Sequence, residues 1–166
     1  MKTKLSTMFI SFVLVFTLGS CSNDSSEDLN GSNNQLVTNY NSSVDEIELA
    51  RLINEYRVSV GEPKFEIINH ISFKSQEHNL YMIENNVVNH DYFAERANNL
   101  IQVLGAVRVG ENIAYNYSTP NAALYAWLNS PGHKENLDGD YTHFGISISV
   151  NPANGKKYYT NMFMKR

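Results

Sequence analysis

The sequence predicts an α+β domain in which helices pack on an antiparallel sheet. Three observations carry that expectation. Apolar residues recur at helical spacing through most of the chain beyond residue 44. Near the C-terminus the period changes, and Phe144, Ile146, Ile148 and Val150 alternate with Gly145, Ser147 and Ser149, the pattern of a strand with one buried face. Asn154-Gly155 then marks a turn into a second strand over residues 158–164. Helices first and a hairpin last belong to a sheet with helices laid on it.

In chain order, residues 1–20 read as an export signal. Lys2 and Lys4 precede an apolar stretch over residues 8–18, too short to span a bilayer but suited to a signal-peptide core. Leu18-Gly19-Ser20-Cys21 resembles a lipobox, which makes Cys21 the lipid-attachment residue and the link to a membrane. The alternative is an ordinary signal peptide cleaved near Ser20. That would leave an exported chain with one unpaired thiol, since Cys21 is the only cysteine. No disulfide can form within the chain, so packing must hold the fold. Residues 21–43 are rich in Ser and Asn and poor in apolar residues, the composition of a flexible tether. Asp24, Glu27 and Asp28 make it acidic, similar to surface-export signals of some Gram-negative lipoproteins. The expected location is the cell envelope, at the outer membrane or cell surface.

The folded domain is expected over residues 44–166. Ser43-x-x-Glu46 is a capping box, and Leu49, Leu52, Ile53, Tyr56 and Val60 share one face of the helix it opens, which ends at Gly61 and Pro63. A second helix is expected over residues 71–86, with Phe73, Leu80, Ile83 and Val87 as its apolar stripe. A third over residues 93–104 stops at Gly105. Thr119-Pro120 and Ser130-Pro131 each pair a capping residue with a proline at the first helical position, opening helices through Trp127 and Leu137.

Four segments, in order, resemble the bacterial branch of the CAP superfamily (cysteine-rich secretory proteins, antigen 5 and pathogenesis-related proteins). They are Leu52-Ile53-Asn54-Glu55-Tyr56-Arg57; His78 through His90-Asp91-Tyr92-Phe93 to Glu95-Arg96; Gly110-Glu111-Asn112-Ile113-Ala114; and Ala126-Trp127-Leu128-Asn129-Ser130-Pro131-Gly132-His133, continuing to Asn136-Leu137. Phe144-Gly145-Ile146 fits the strand that follows in the family. The resemblance covers essentially all of the folded part. It implies a three-layer α-β-α sandwich, with the central sheet mainly antiparallel, and a cleft marked by two histidines and two glutamates. His90 matches the first histidine, Glu111 the first glutamate and His133 the second histidine. The second glutamate is missing, its place held by Ser130, so a mechanism needing two carboxylates has no second member.

Imidazole serves as acid, base or metal ligand near neutral pH. His133 falls at the third position of the helix opened by Ser130, where the positive end of the helix dipole disfavours imidazolium. His90, Glu111 and His133 together make a His2Glu set of the kind that suits Zn2+ or another divalent cation with an open position. No His-Glu-x-x-His signature supports that set locally. Each residue also has a structural reading: Glu111 as an acceptor for turn amides, Ser130 as a helix cap and Trp127 as core. His78 belongs to the motif as a supporting residue at most. His70 and His143 carry no expected role, although His143 lies where it could reach the cleft rim.

The formal net charge of −4, with no basic run beyond Lys2 and Lys4, argues against nucleic acid as a partner. No Gly-x-Ser-x-Gly elbow is present and Cys21 is assigned to lipid, which argues against a covalent nucleophile. Two functions remain. One is an envelope-anchored module whose cleft binds an extracellular lipid, glycan, protein or divalent ion. The alternative is a metal-assisted, peptidase-like hydrolase using His90, Glu111 and His133.

Overall fold

The computed structural model describes residues 34–166; the expected signal peptide, Cys21 and the first part of the expected tether lie outside them. Five helices and four strands follow in the order α1 (Val44–Ser59), β1 (Glu66–Ile67), α2 (Asn69–Asn85), α3 (Phe93–Leu104), β2 (Arg108–Tyr115), α4 (Pro120–Leu128), α5 (Pro131–Asp138), β3 (His143–Val150) and β4 (Lys157–Lys165). The strands form one sheet in the order β1-β3-β4-β2. Only the short β1–β3 pair is parallel; β3–β4 and β4–β2 are antiparallel.

Helices cover both faces, giving the expected three layers. Strand alternation sends Ala114, Phe144, Ile146, Tyr159 and Phe163 to one face, where they meet Leu49 and Ile53 of α1, Trp127 of α4 and Leu137 of α5. The opposite face sends Met162 and Met164 against Ile71 of α2 and Leu100 and Leu104 of α3.

Local chemistry sets most boundaries as expected. The Ser43 hydroxyl accepts from the Glu46 N–H while Glu46 Oε2 accepts from the Ser43 N–H, completing the capping box of α1. Thr119 Oγ1 accepts from the Ala122 N–H at the start of α4. Gly105, at φ 71°, ends α3 in the left-handed conformation, and the Ala106 N–H reaches back to the Leu100 carbonyl.

Four expectations are corrected. The strand Arg108–Tyr115 was not anticipated; Glu111 lies in it rather than in a turn, paired opposite Met162. Strand β1 was also missed, because it is a two-residue extension leading straight into α2. The expected tether does not run to residue 43 as free chain. From Asn34 on it lies on the domain, with the Asn69 amide donating to the Thr38 carbonyl (2.6 Å) and the Tyr40 hydroxyl to Glu46 Oε1 (2.9 Å).

The fourth correction concerns α2. Leu80 of its supposed apolar stripe is exposed, whereas His70, Ser72, Ser75, His78 and Asn79 are buried beside Ile71 and Met82. The reason lies in β3. Past its two-residue pairing with β1, this strand has an open edge inside the protein, and unpaired buried backbone groups are costly. Side chains complete the ladder. On that edge Ser72 Oγ accepts from the Ile146 N–H (3.2 Å), while the Ser75 hydroxyl and Asn79 Nδ2 add second bonds to the Gly145 and Ser147 carbonyls (2.9 Å each), which point toward β4. Glu46 Oε1 takes the Ile148 N–H at 2.7 Å. Gly145 permits this approach, since a Cβ there would collide with the Ser72 backbone nitrogen.

Candidate functional site

Glu111 is the hub. It sits on β2 with its carboxylate buried under α2 and α3, its side chain 1% exposed. Arg96, from the first turn of α3, grips both oxygens, Nε to Oε2 at 2.9 Å and Nη2 to Oε1 and Oε2 at 2.8 and 2.7 Å. Such a forked pair offsets the desolvation of each ion and fixes the carboxylate plane. The same guanidinium donates from Nη1 to the Asp91 carbonyl (2.7 Å), so it also holds the loop that carries His90.

His90 comes down on the remaining lone pair of Oε1, with its Nδ1 at 2.8 Å. A carboxylate bound to Arg96 is an acceptor, so Nδ1 carries a proton toward it and the ring turns Nε2 away from Glu111. The side chain is 50% exposed, and among the described residues Nε2 has no hydrogen-bond partner.

His78 supports this arrangement from beneath. It is fully buried on α2, 3.8 Å from Glu111 Oε1, and its Nε2–H donates to the Asn89 carbonyl (2.8 Å), immediately before His90. Burial lowers its pKa against the raising influence of Glu111, so the ring stays neutral. Its Nδ1 is buried without a partner among the described residues. Tyr81 stacks on the ring at 5.9 Å and donates to Asp91 (3.1 Å), tightening the same loop.

His133 occupies the third position of α5, as expected. Ser130 is the N-cap residue, but its side chain makes no capping bond. The His133 pKa is lowered, first by burial and second by the His90 ring, so the two imidazoles lie within electrostatic reach of each other. Burial, rather than the helix dipole, is the leading cause. Asn112 fixes the start of α5 against β2 by donating from Nδ2 to the His133 carbonyl (2.9 Å) and accepting from Asn136 Nδ2 (2.9 Å).

The structure thus brings His90, Glu111 and His78 together, with His133 on the neighbouring α5 within electrostatic reach of His90. Arg96, Asn112 and Asn136 were visible only as letters of the motifs; Arg96 lies 15 residues from Glu111 in sequence, and nothing in the spacing pairs them. Trp127 is core, and its indole N–H donates to the Ile113 carbonyl (2.8 Å) on the open edge of β2. His143 lies 3.6 Å from Glu66 beside β1 and does not join the cluster. His70 is buried at the start of α2, away from Glu111.

A His2Glu metal centre does not fit these residues. Both Glu111 oxygens are bound to a guanidinium, which would stand beside any cation that Glu111 ligated. Among the described residues, no three His, Cys, Asp or Glu side chains converge as a ligand set. A cavity of about 210 Å3 lies elsewhere, between α1, β1 and β3, lined by Ile47, Ala50, Ile67 and Ile146 among others, and contains none of the histidines.

The family described as CAP, cysteine-rich secretory protein family, matches residues 50–163. A Bacillus subtilis protein described as the uncharacterized membrane protein YlbC is 35% identical over 130 residues, covering 75% of this chain but 35% of that protein. The chain therefore spans about a third of that relative's length. An extracellular protein of Bacillus anthracis containing an SCP domain is 28% identical with a TM-score of 0.65, over 74% of this chain and 40% of that one. An outer surface protein of Borrelia burgdorferi has the same fold over 78% of this chain and 99% of its own, with a TM-score of 0.67 at 23% identity. Among the described residues, no helix is long and apolar enough to cross a membrane.

Proposed function

The chain belongs to the CAP, or cysteine-rich secretory protein, family, and from that premise we propose that it is an exported lipoprotein, held in the cell envelope through Cys21, whose cleft binds a polar extracellular ligand. One observation carries the binding reading. Among the described residues, the Glu111 carboxylate is bound by Arg96 and His90, so the groups left to meet a ligand are the imidazoles of His90 and His133. Imidazoles suit hydrogen bonding to a headgroup, a sugar or a peptide. A divalent ion would be held by the two rings alone, without Glu111.

The extracellular name of the anthracis relative and the membrane name of YlbC support the location. Palmitate labelling tests the anchor. The wild-type protein is expected to take up label and sediment with membranes, and Cys21→Ser to lose both. Label retained in Cys21→Ser overturns the anchor. Zn2+ calorimetry on His90→Ala and His133→Ala tests the cleft. A weak single site lost in both variants supports a shared pair of rings; binding unchanged by both removes the ion from the ligand classes.

A second reading rests on the Glu111–His90 bond. A carboxylate holding Nδ1–H and leaving Nε2 basic is the orientation of a general base acting on water. Turnover of a peptide or ester substrate that is lost in His90→Gln would favour hydrolysis over binding.

A further inference from the structure

His70 stands outside this cleft and does something different. It is buried at the start of α2, and both ring nitrogens are used. Nδ1 accepts the backbone N–H of Val37 at 3.1 Å, and Nε2 meets Asn99 Oδ1 at 2.7 Å. A nitrogen that accepts an N–H carries no proton, so the ring is neutral with its proton on Nε2, donated to Asn99. The Asn99 amide is then oriented so that Nδ2 points to Asn34 Oδ1 (3.4 Å), and Asn34 in turn donates to Gln102 Oε1 (2.8 Å). Residues 34–39 are therefore laid across α2 and α3, and the bond at their centre, from the Val37 N–H to Nδ1, requires a neutral His70, whereas those of Asn34 to Gln102 and of Asn69 to the Thr38 carbonyl do not.

We propose that residues 34–39 form an acid-released strap, held down while His70 is neutral and freed when a second proton enters the ring at Nδ1. That proton would face the Val37 N–H donor to donor, inside the protein, and would place a charge where burial already disfavours one. The charged groups near the ring are Lys74 and Glu77 on its own helix, which pair with each other at 2.8 Å. Asn99 faces it from α3, and residues 34–39 carry no ionisable side chain. Burial lowers the His70 pKa below its usual 6.5, so strap binding is complete above that value and is lost as pH falls through and below it. Tyr40 is fastened separately to Glu46, which sets the hinge at residue 40. If Cys21 is lipidated, release adds roughly 20 Å of extended chain between membrane and domain. That consequence rests on the proposed anchor; the strap does not.

Hydrogen exchange on the full chain tests the strap. Protection factors corrected for intrinsic rates are expected to fall at least about tenfold at Val37 between pH 7.5 and pH 5.0, with β4 amides unchanged. His70→Gln can accept from Val37 and donate to Asn99 without titrating, so its Val37 protection is expected to be equal at both values. Constant protection in the wild type, or an equal fall in His70→Gln, overturns the proposal. Should that variant not fold, NMR of the wild type decides: the His70 ring and the Val37 amide must titrate with one midpoint, and separate midpoints contradict it.

Discussion

The two faces of the sheet are built on opposite principles. Toward α1, α4 and α5 the interior is large and apolar, with Leu49, Ile53, Trp127, Phe144 and Phe163 almost wholly removed from water. Toward α2 and α3 the interior mixes a smaller apolar cluster with Ser72, Ser75, His78, Asn79, Arg96 and Glu111, all buried. The first face supplies hydrophobic stabilisation in the ordinary way. The second stands because most of its polar groups are answered: the serines and Asn79 by the backbone of β3, Glu111 by Arg96 and His90. The apolar face is the platform, and the polar face is where a histidine can be held at a fixed angle to solvent.

Substitutions that remove one partner on each face sharpen this contrast. Glu111→Ala strands Arg96 in the interior and releases His90, and is expected to cost about 3–5 kcal/mol in urea unfolding. Trp127→Ala on the apolar face is expected to cost a similar ~3–5 kcal/mol through its cavity and the orphaned Ile113 carbonyl, but to leave His90 anchored. Comparable stability loss with opposite effects on the His90 ring environment would separate platform from site; identical effects on His90 would break the distinction. Gly145→Ala forces α2 off β3 and is expected to cost ~1–3 kcal/mol. Ser72→Ala leaves the buried Ile146 N–H without its acceptor, an expected loss of about 1 kcal/mol. If Ser72→Ala were neutral, the side-chain completion of the β3 edge would carry no energy.

The pH dependence is gentler and has a definite sign. His70, His78 and His133 all have lowered pKa values, with burial the leading cause in each. Below about 6.5 the unfolded chain binds protons that the folded chain refuses, so stability falls with pH through and below that value, then levels once the folded groups protonate. Melting temperatures from pH 8 to pH 5 are expected to show this decline, and His78→Gln to reduce it. A flat profile would mean that these rings are solvated.

The same contrast explains what could be read from the sequence. The α+β class, the capped helices and the final hairpin follow from periodicity and capping signals, which belong to the apolar face and to local chemistry. Strand β2 was hidden because Glu111 and Asn112 interrupt its apolar run with buried polar residues, each answered by partners distant in the chain. The buried side of α2 was hidden for the same reason: Ser72, Ser75 and Asn79 read as solvent-facing until β3 lies against them. The motifs located His90, Glu111 and His133, but not the Arg96 grip that makes Glu111 an anchor rather than a ligand.

The central claim is that His90 and His133 face one another in a single cleft. Imidazole 15N titration of His133, in the wild type and in His90→Gln, tests it most directly. The account predicts a His133 midpoint below 6.5 in the wild type that moves upward when the His90 charge is removed. A midpoint that stays in place would show that the two rings do not share a site.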